Sequence, residues 1–158
     1  MKKDFFLILP NIRSAHNVGS MFRTADAFGV TKLFLVGYTA TPPKPQIDKV
    51  SLGAETWMPW EHREDLEKLI SELKKDRIKI VGLEKTKTSK EIGKLKLKTD
   101  EPVALVVGNE VDGISDEILE LCDSVVHIPM FGKKESLNVS VATGIALHVI
   151  KNKKLGKN

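Results

Sequence analysis

Three short polar segments carry the residue types that could do chemistry. In the first, residues 11–23, Asn17 and Arg23 stand among Val18, Met21 and Phe22. The chain has only four arginines, Arg13, Arg23, Arg63 and Arg77. Arg23 falls between Phe22 and Ala25 near the expected start of a helix, where its charge opposes the macrodipole. A planar, permanently charged guanidinium there suits bidentate holding of a phosphate or carboxylate. Asn17 also has a plainer reading as a helix cap, and Gly19 as a residue that permits close backbone approach. The second segment, residues 107–115, sets Glu110 and Asp112 between Gly108 and Gly113. Its plainer reading is a tight glycine turn with solvated carboxylates. The third, residues 128–140, brings Ser136, Asn138 and Ser140 to the start of an apolar helical run. Capping explains Ser136 or Asn138, but not both.

Several chemistries are excluded by what stands at the decisive positions. The Gly108 and Gly113 spacing resembles a phosphate-binding loop, but Ile114 occupies the place where that loop needs lysine. No Gly-x-Gly-x-x-Gly follows the first strand, and no Gly-x-Ser-x-Gly elbow occurs. His16, His62, His127 and His148 show no ligand spacing with one another or with Cys122, so no metal is expected. A phosphoacceptor receiver wants acidic residues at early strand ends, whereas the first strand here ends in Leu9, Pro10 and Asn11.

The elements that must position these segments follow from apolar patterning. Residues 5–9 and 33–36 are short apolar runs that suit buried strands, and residues 78–83, 103–107 and 125–128 are short β-branched-rich runs, as expected of strands covered on both faces. Residues 17–28 place Val18, Met21, Phe22, Ala25 and Phe28 at helical spacing, with Gly29 as a stop. Pro42, Pro43 and Pro45 make residues 37–49 a long loop. Residues 63–75 read as an amphipathic helix with a Glu64 to Lys68 pair, and Ser115 as the cap of a short helix ending near Cys122. A last helix over residues 138–151 shows an apolar face of Ala142, Ile145, Ala146, Val149 and Ile150. Gly144 within it costs on the order of 1 kcal/mol relative to alanine, so something should pack closely against it. Alternating strands and helices predict an α/β fold with a mostly parallel sheet flanked by helices. The three polar segments then follow strand carboxyl ends, where such folds bind ligands.

At 158 residues, 41% hydrophobic and 29% charged, the chain suits one domain with one sizeable core. The single cysteine cannot form an intrachain disulfide, which fits a cytoplasmic location. No apolar run approaches the roughly 20 residues of a membrane span. A net charge of +4, with lysines gathered over residues 85–98 and 151–157, makes nucleic acid a plausible partner, although a solvated lysine surface explains charge alone.

Taken in order, the three segments resemble the three motifs of the SpoU/TrmH branch of the SPOUT RNA methyltransferases. Asn17 to Arg23 with the continuation Thr-Ala-Asp-Ala-Phe-Gly matches the first, residues 107–115 the second, and Ile128-Pro-Met with Ser136-Leu-Asn138-Val-Ser140 the third. Ser51-Leu-Gly-Ala-Glu55 is similar to a segment found between the first two. The resemblance covers nearly the whole chain. It implies a C-terminal deep trefoil knot, which general topology rules disfavour. It further implies transfer of a methyl group from S-adenosylmethionine to a ribose 2′-hydroxyl of tRNA or rRNA. Leu83, Gly108, Ile128, Met130 and Leu137 would hold the cofactor, with Gly108 glycine because a side chain would obstruct the ligand. Arg23, Asn17, Glu110, Ser136 and Asn138 would form the catalytic group. A homodimer is implied, with the last helix in the interface and site residues contributed across it, a two-fold contact that would bury the face around Gly144. Residues 1–158 would be one methyltransferase domain without an N-terminal RNA-binding extension, similar to the enzymes that methylate the tRNA wobble ribose. A catalytically silent, dimeric RNA-binding module of the same fold is the competing expectation.

Overall fold

The computed structural model describes residues 3–157. Seven strands form one sheet: β1 (Phe5–Pro10), β2 (Lys32–Val36), β3 (Trp60–Arg63), β4 (Lys79–Leu83), β5 (Lys90–Glu91), β6 (Val103–Val106) and β7 (Ser124–His127). Their order is β3-β2-β1-β6-β4-β7-β5, and every pairing is parallel. Six helices connect them: α1 (Ala15–Ala27), α2 (Pro45–Ser51), α3 (Ala54–Trp57), α4 (Leu66–Lys75), α5 (Asp116–Leu121) and α6 (Val139–Lys154).

The period-2 geometry of a strand splits each apolar run between two cores. Phe5, Leu7, Leu9, Leu33, Leu35 and Leu105 pack with Met21 and Phe22 of α1 and with Ala146, Leu147 and Ile150 of α6. Ile8, Phe34, Ile80, Ala104 and Val106 pack on the other side with Leu69, Ile70 and Leu73 of α4 and Ile118 of α5. This is why the central strands read as unbroken apolar runs: neither face meets water.

Helix starts differ from the sequence expectation where a cap was misread. Ser14, not Asn17, caps α1, its side chain accepting a hydrogen bond from the Asn17 N–H at 3.2 Å. Such a cap contributes about 1 kcal/mol. Arg23 therefore lies past the middle of α1, and no macrodipole argument applies to it. The expected loop over residues 37–49 contains α2, because Pro45 sits at its first turn, where a missing N–H is harmless. The expected helix over residues 63–75 begins at Leu66 behind an Asp65 cap, and Trp60–Arg63 is an edge strand. Glu64 thus lies outside the helix and sits 3.7 Å from His62 Nδ1 rather than pairing with Lys68. The lysine segment contributes the short edge strand β5.

Close approach fixes Gly19, where a Cβ would lie 2.6 Å from the Ile47 carbonyl oxygen of α2. At the other end of the chain, buried Lys154 donates from Nζ to the carbonyls of Asp4, at 3.3 Å, and of Glu101. That contact ties the end of α6 to the starts of β1 and β6. Burial lowers the Lys154 pKa, only partly offset by Asp100, Glu101 and Asp4. On α6 itself, Ala146, Leu147 and Ile150 face the core, while Val141 and Ile145 are exposed. The helix thus has two apolar sides rather than the single face expected.

Candidate active site

The crevice opens where the sheet changes direction. Strands β1 and β6 are neighbours, yet β1 feeds α1 onto one face and β6 feeds α5 onto the other. The loops after them leave the sheet together and diverge, the arrangement in which open α/β sheets form ligand crevices. The segment between β7 and α6 completes a cleft of about 570 Å³, within the roughly 300–1,000 Å³ of small-molecule sites.

Glu110 joins the two diverging loops. Its Oε1 accepts from the Arg13 N–H at 2.8 Å, and its Oε2 accepts from the Ser14 N–H at 2.8 Å and from Asn17 Nδ2 at 3.3 Å. Asn17 Oδ1 accepts from Asn138 Nδ2 at 3.4 Å. Asn138 Oδ1 in turn accepts from the Ser140 N–H at 2.8 Å, capping α6. Residues 93 and 121 positions apart are thus linked in one hydrogen-bonded chain. Burial raises the Glu110 carboxyl, but the amides of Arg13, Ser14 and Glu110 itself, with the Asn17 side chain, outweigh it and hold the group below its ordinary value.

Leu83, Gly108, Ile128, Met130 and Leu137 all line the cleft, together with Glu110, Ser136 and Asn138. Asn17 reaches it through Glu110 and Asn138. Arg23 is not brought there: it is exposed on α1 and, among the described residues, its side chain makes no hydrogen bond or ion pair. Its chain neighbour Thr24, with Ser20, Val141, Gly144 and Ile145, lines a shallow groove between α1 and α6. Gly108 has a reason to be glycine beyond the one expected. A Cβ there would lie 2.8 Å from the Gly113 backbone, so the turn's own closure already excludes a side chain.

Two residues of the site escaped the sequence reading. Asn109 Nδ2 donates to the Asn11 carbonyl at 2.6 Å, while its Oδ1 accepts from the N–H groups of Val111 and Asp112 at 2.8 and 2.9 Å. Glu84 Oε2 accepts from the Ile114 N–H at 3.0 Å and lines the cleft. Its signal was its place as the first residue after β4, at a strand carboxyl end. The cleft therefore sets apolar Leu83, Ile128, Met130 and Leu137 against the carboxylates Glu84, Glu110 and Glu135, which outnumber Lys85 on the same lining. Such a lining suits a ligand with a flat apolar part and a positive charge. Among the described residues no His, Cys, Asp and Glu cluster could hold a metal ion, and no helix is long and apolar enough to cross a membrane.

Comparison with known proteins gives a consistent picture. Residues 4–148 match the SpoU rRNA Methylase family. The chain is similar to the tRNA (guanosine(18)-2'-O)-methyltransferase of Aquifex aeolicus, 36% identical over 93% of this chain and 68% of that protein. It is likewise 36% identical to the 23S rRNA (guanosine-2'-O-)-methyltransferase RlmB of Neisseria meningitidis, over 96% of this chain and 60% of the relative. Among solved structures, an AdoMet-bound rRNA methyltransferase from Sinorhizobium meliloti superposes with a TM-score of 0.86 at 27% identity, covering 98% of this chain and 58% of that one. The chain thus spans roughly three-fifths to two-thirds of the length of these proteins.

Proposed function

The chain belongs to the SpoU methylase family, and from that premise we propose that it methylates a ribose 2′-hydroxyl of tRNA or rRNA with S-adenosylmethionine as donor. The observation that carries this reading is the union of an apolar, carboxylate-rimmed cleft with the Glu110–Asn17–Asn138 chain at its edge.

The donor's adenine suits the apolar wall of Leu83, Ile128, Met130 and Leu137, and its positive sulfur suits the rim carboxylates. When bound, S-adenosylmethionine supplies an activated methyl group, which the ribose oxygen takes as its hydroxyl proton departs. The protein's part is chiefly positioning, since holding the hydroxyl in line removes much of the entropic cost. Glu110 fixes the two loops, Asn17 and Asn138 orient the substrate, and Ser136 completes the rim. Arg23 orients the hydroxyl and an adjacent phosphate. Arginine stays protonated, with a pKa above about 12, so the proton goes to a phosphate oxygen or water.

Arg23 lies outside its own cleft, which supports a homodimer built on the groove between α1 and α6. Exposed Val141 and Ile145, 51% and 39% accessible, flank the small Gly144 there. A two-fold contact on this face would bury them and carry Arg23 to the cleft of the second copy. The reading includes the C-terminal trefoil knot that the family implies; residues 84–102 hold α6, Lys153 Nζ donating to the Gly93 carbonyl at 2.9 Å and the Asp100 N–H to the Lys154 carbonyl at 2.9 Å. We further read residues 1–158 as one methyltransferase domain, acting in the cytoplasm where its RNA resides.

The test is transfer of labelled methyl from S-adenosylmethionine to unmodified tRNA and rRNA, followed by nuclease digestion and nucleoside mass spectrometry. A 2′-O-methylated nucleoside is expected. Donor binding without transfer to any RNA would instead point to a missing partner or to the silent RNA-binding module, and no donor binding would overturn the reading.

A further inference from the structure

Tyr38 is oriented against the usual preference of a surface tyrosine. An exposed tyrosine ordinarily lays its ring on the protein and turns its hydroxyl to water. Here the residue is 61% exposed, while the hydroxyl accepts a hydrogen bond from Asn109 Nδ2 at 2.8 Å. The backbone is anchored as well: the Tyr38 N–H donates to Asn11 Oδ1 at 3.1 Å. The next residue, Thr39, is buried, its Oγ1 donating to the Leu9 carbonyl at 2.7 Å and accepting from the Ile12 N–H at 2.9 Å. Both ends of the tyrosine are fixed, and its face is left to solvent. Its anchor is not remote, since Asn109 lines the cleft and immediately precedes Glu110.

From this geometry we infer that Tyr38 is the stacking platform for an unpaired RNA base beside the ribose to be methylated. The inference rests on the RNA methyltransferase reading above. A pre-fixed ring loses little freedom on binding, and every base offers it a π-face. Reaching a 2′-hydroxyl requires the nucleotide to be held apart from its neighbours, and stacking on aromatic side chains is how proteins hold splayed bases.

Two measurements test this. With unmodified tRNA and rRNA as substrates, Tyr38→Ala should raise KM for RNA about tenfold, within the range for loss of one base stack, while Tyr38→Phe and Tyr38→Trp recover most of the loss. The affinity for S-adenosylmethionine should not move. An unchanged KM for Tyr38→Ala overturns the inference. Equal damage from Tyr38→Phe overturns it too, assigning the effect to the bond with Asn109, and so does a drop in solution mass for Tyr38→Ala, which would make the ring a subunit contact. If the wild-type protein methylates no RNA, the functional reading has failed. The platform is then judged by 2-aminopurine fluorescence in a short single-stranded oligoribonucleotide. Quenching by wild type but not by Tyr38→Ala upholds it, and equal quenching overturns it.

Discussion

The two walls of the cleft are built on different principles. The wall formed by residues 11–17 and 108–115 is knit by hydrogen bonds: Glu110 to three donors, Asn109 to four partners, and Glu84 to Ile114. The facing segment before α6 is the reverse. Residues 131–138 are all exposed, Phe131 at 93%, and among the described residues 130–137 form no hydrogen bond. A knit wall fixes the geometry of a reacting hydroxyl, where a displacement of an ångström costs rate. A wall of apolar side chains on a loosely held backbone conforms to a ligand's shape, contributing affinity in proportion to area covered. Substitutions on the first should therefore act on kcat, and those on the second on donor affinity.

The largest expected effect tests whether the knit wall is complete in one copy. Arg23→Ala should lower kcat by at least about a hundredfold while leaving the affinity for S-adenosylmethionine, measured by calorimetry, within about twofold, because the residue lies outside the cleft. Loss of donor binding would move Arg23 to the other wall. Gly144→Leu should come next, inserting a bulky side chain into the groove between α1 and α6, where a Cβ alone already lies 3.4 Å from Thr24 Cγ2. Halving of the mass by light scattering, with activity falling in parallel, is the expected outcome. An active variant of unchanged mass would refute the interface.

Glu110→Gln is a smaller cut into the same wall, removing the charge but keeping the shape. A depressed carboxyl contributes stability that is present above its ordinary value of 4.5 and lost as pH falls through the lowered value. Wild type should therefore melt higher than the variant at neutral pH, and the two should converge well below pH 4.5. A constant difference across that range would mean that the charge on Glu110 does not hold Arg13 and Ser14. At neutral pH kcat should fall about tenfold, less than for Arg23, since one oxygen can still accept.

This division also explains what the sequence made legible. Central strands announce themselves because burial on both faces leaves no polar alternation, as in Leu7, Ile8 and Leu9. The edge strand Trp60–Arg63 does not, because water on its flank admits Glu61, His62 and Arg63, and its last residue reads as the start of the following helix. Asn17, Glu110 and Asn138 were identified as polar residues in search of a purpose, but their mutual contacts depend on the strand order, which no local pattern records. Arg23 was misplaced along its helix through one wrong cap. Asn109 and Glu84 went unnoticed because their partners, the Tyr38 hydroxyl apart, are backbone groups, and backbone demand leaves no mark on composition.

The smallest effect belongs to the loose wall and is the sharpest test of the contrast. Leu137 lines the cleft and is 38% exposed, so more than a third of its surface is left for a ligand to cover, and it belongs to neither packed core. Leu137→Ala should leave the melting temperature nearly unchanged, since no packed core opens into a cavity. Covering the remaining surface with the donor's adenine would stabilise the complex by about 1 kcal/mol, at roughly 25 cal/mol per Å². Its loss should raise the dissociation constant for S-adenosylmethionine about fivefold and leave kcat at saturating donor intact. A fall in kcat with donor affinity unchanged would mean that Leu137 acts on the hydroxyl's geometry. The segment before α6 would then have to be organised as tightly as the wall it faces when RNA is bound.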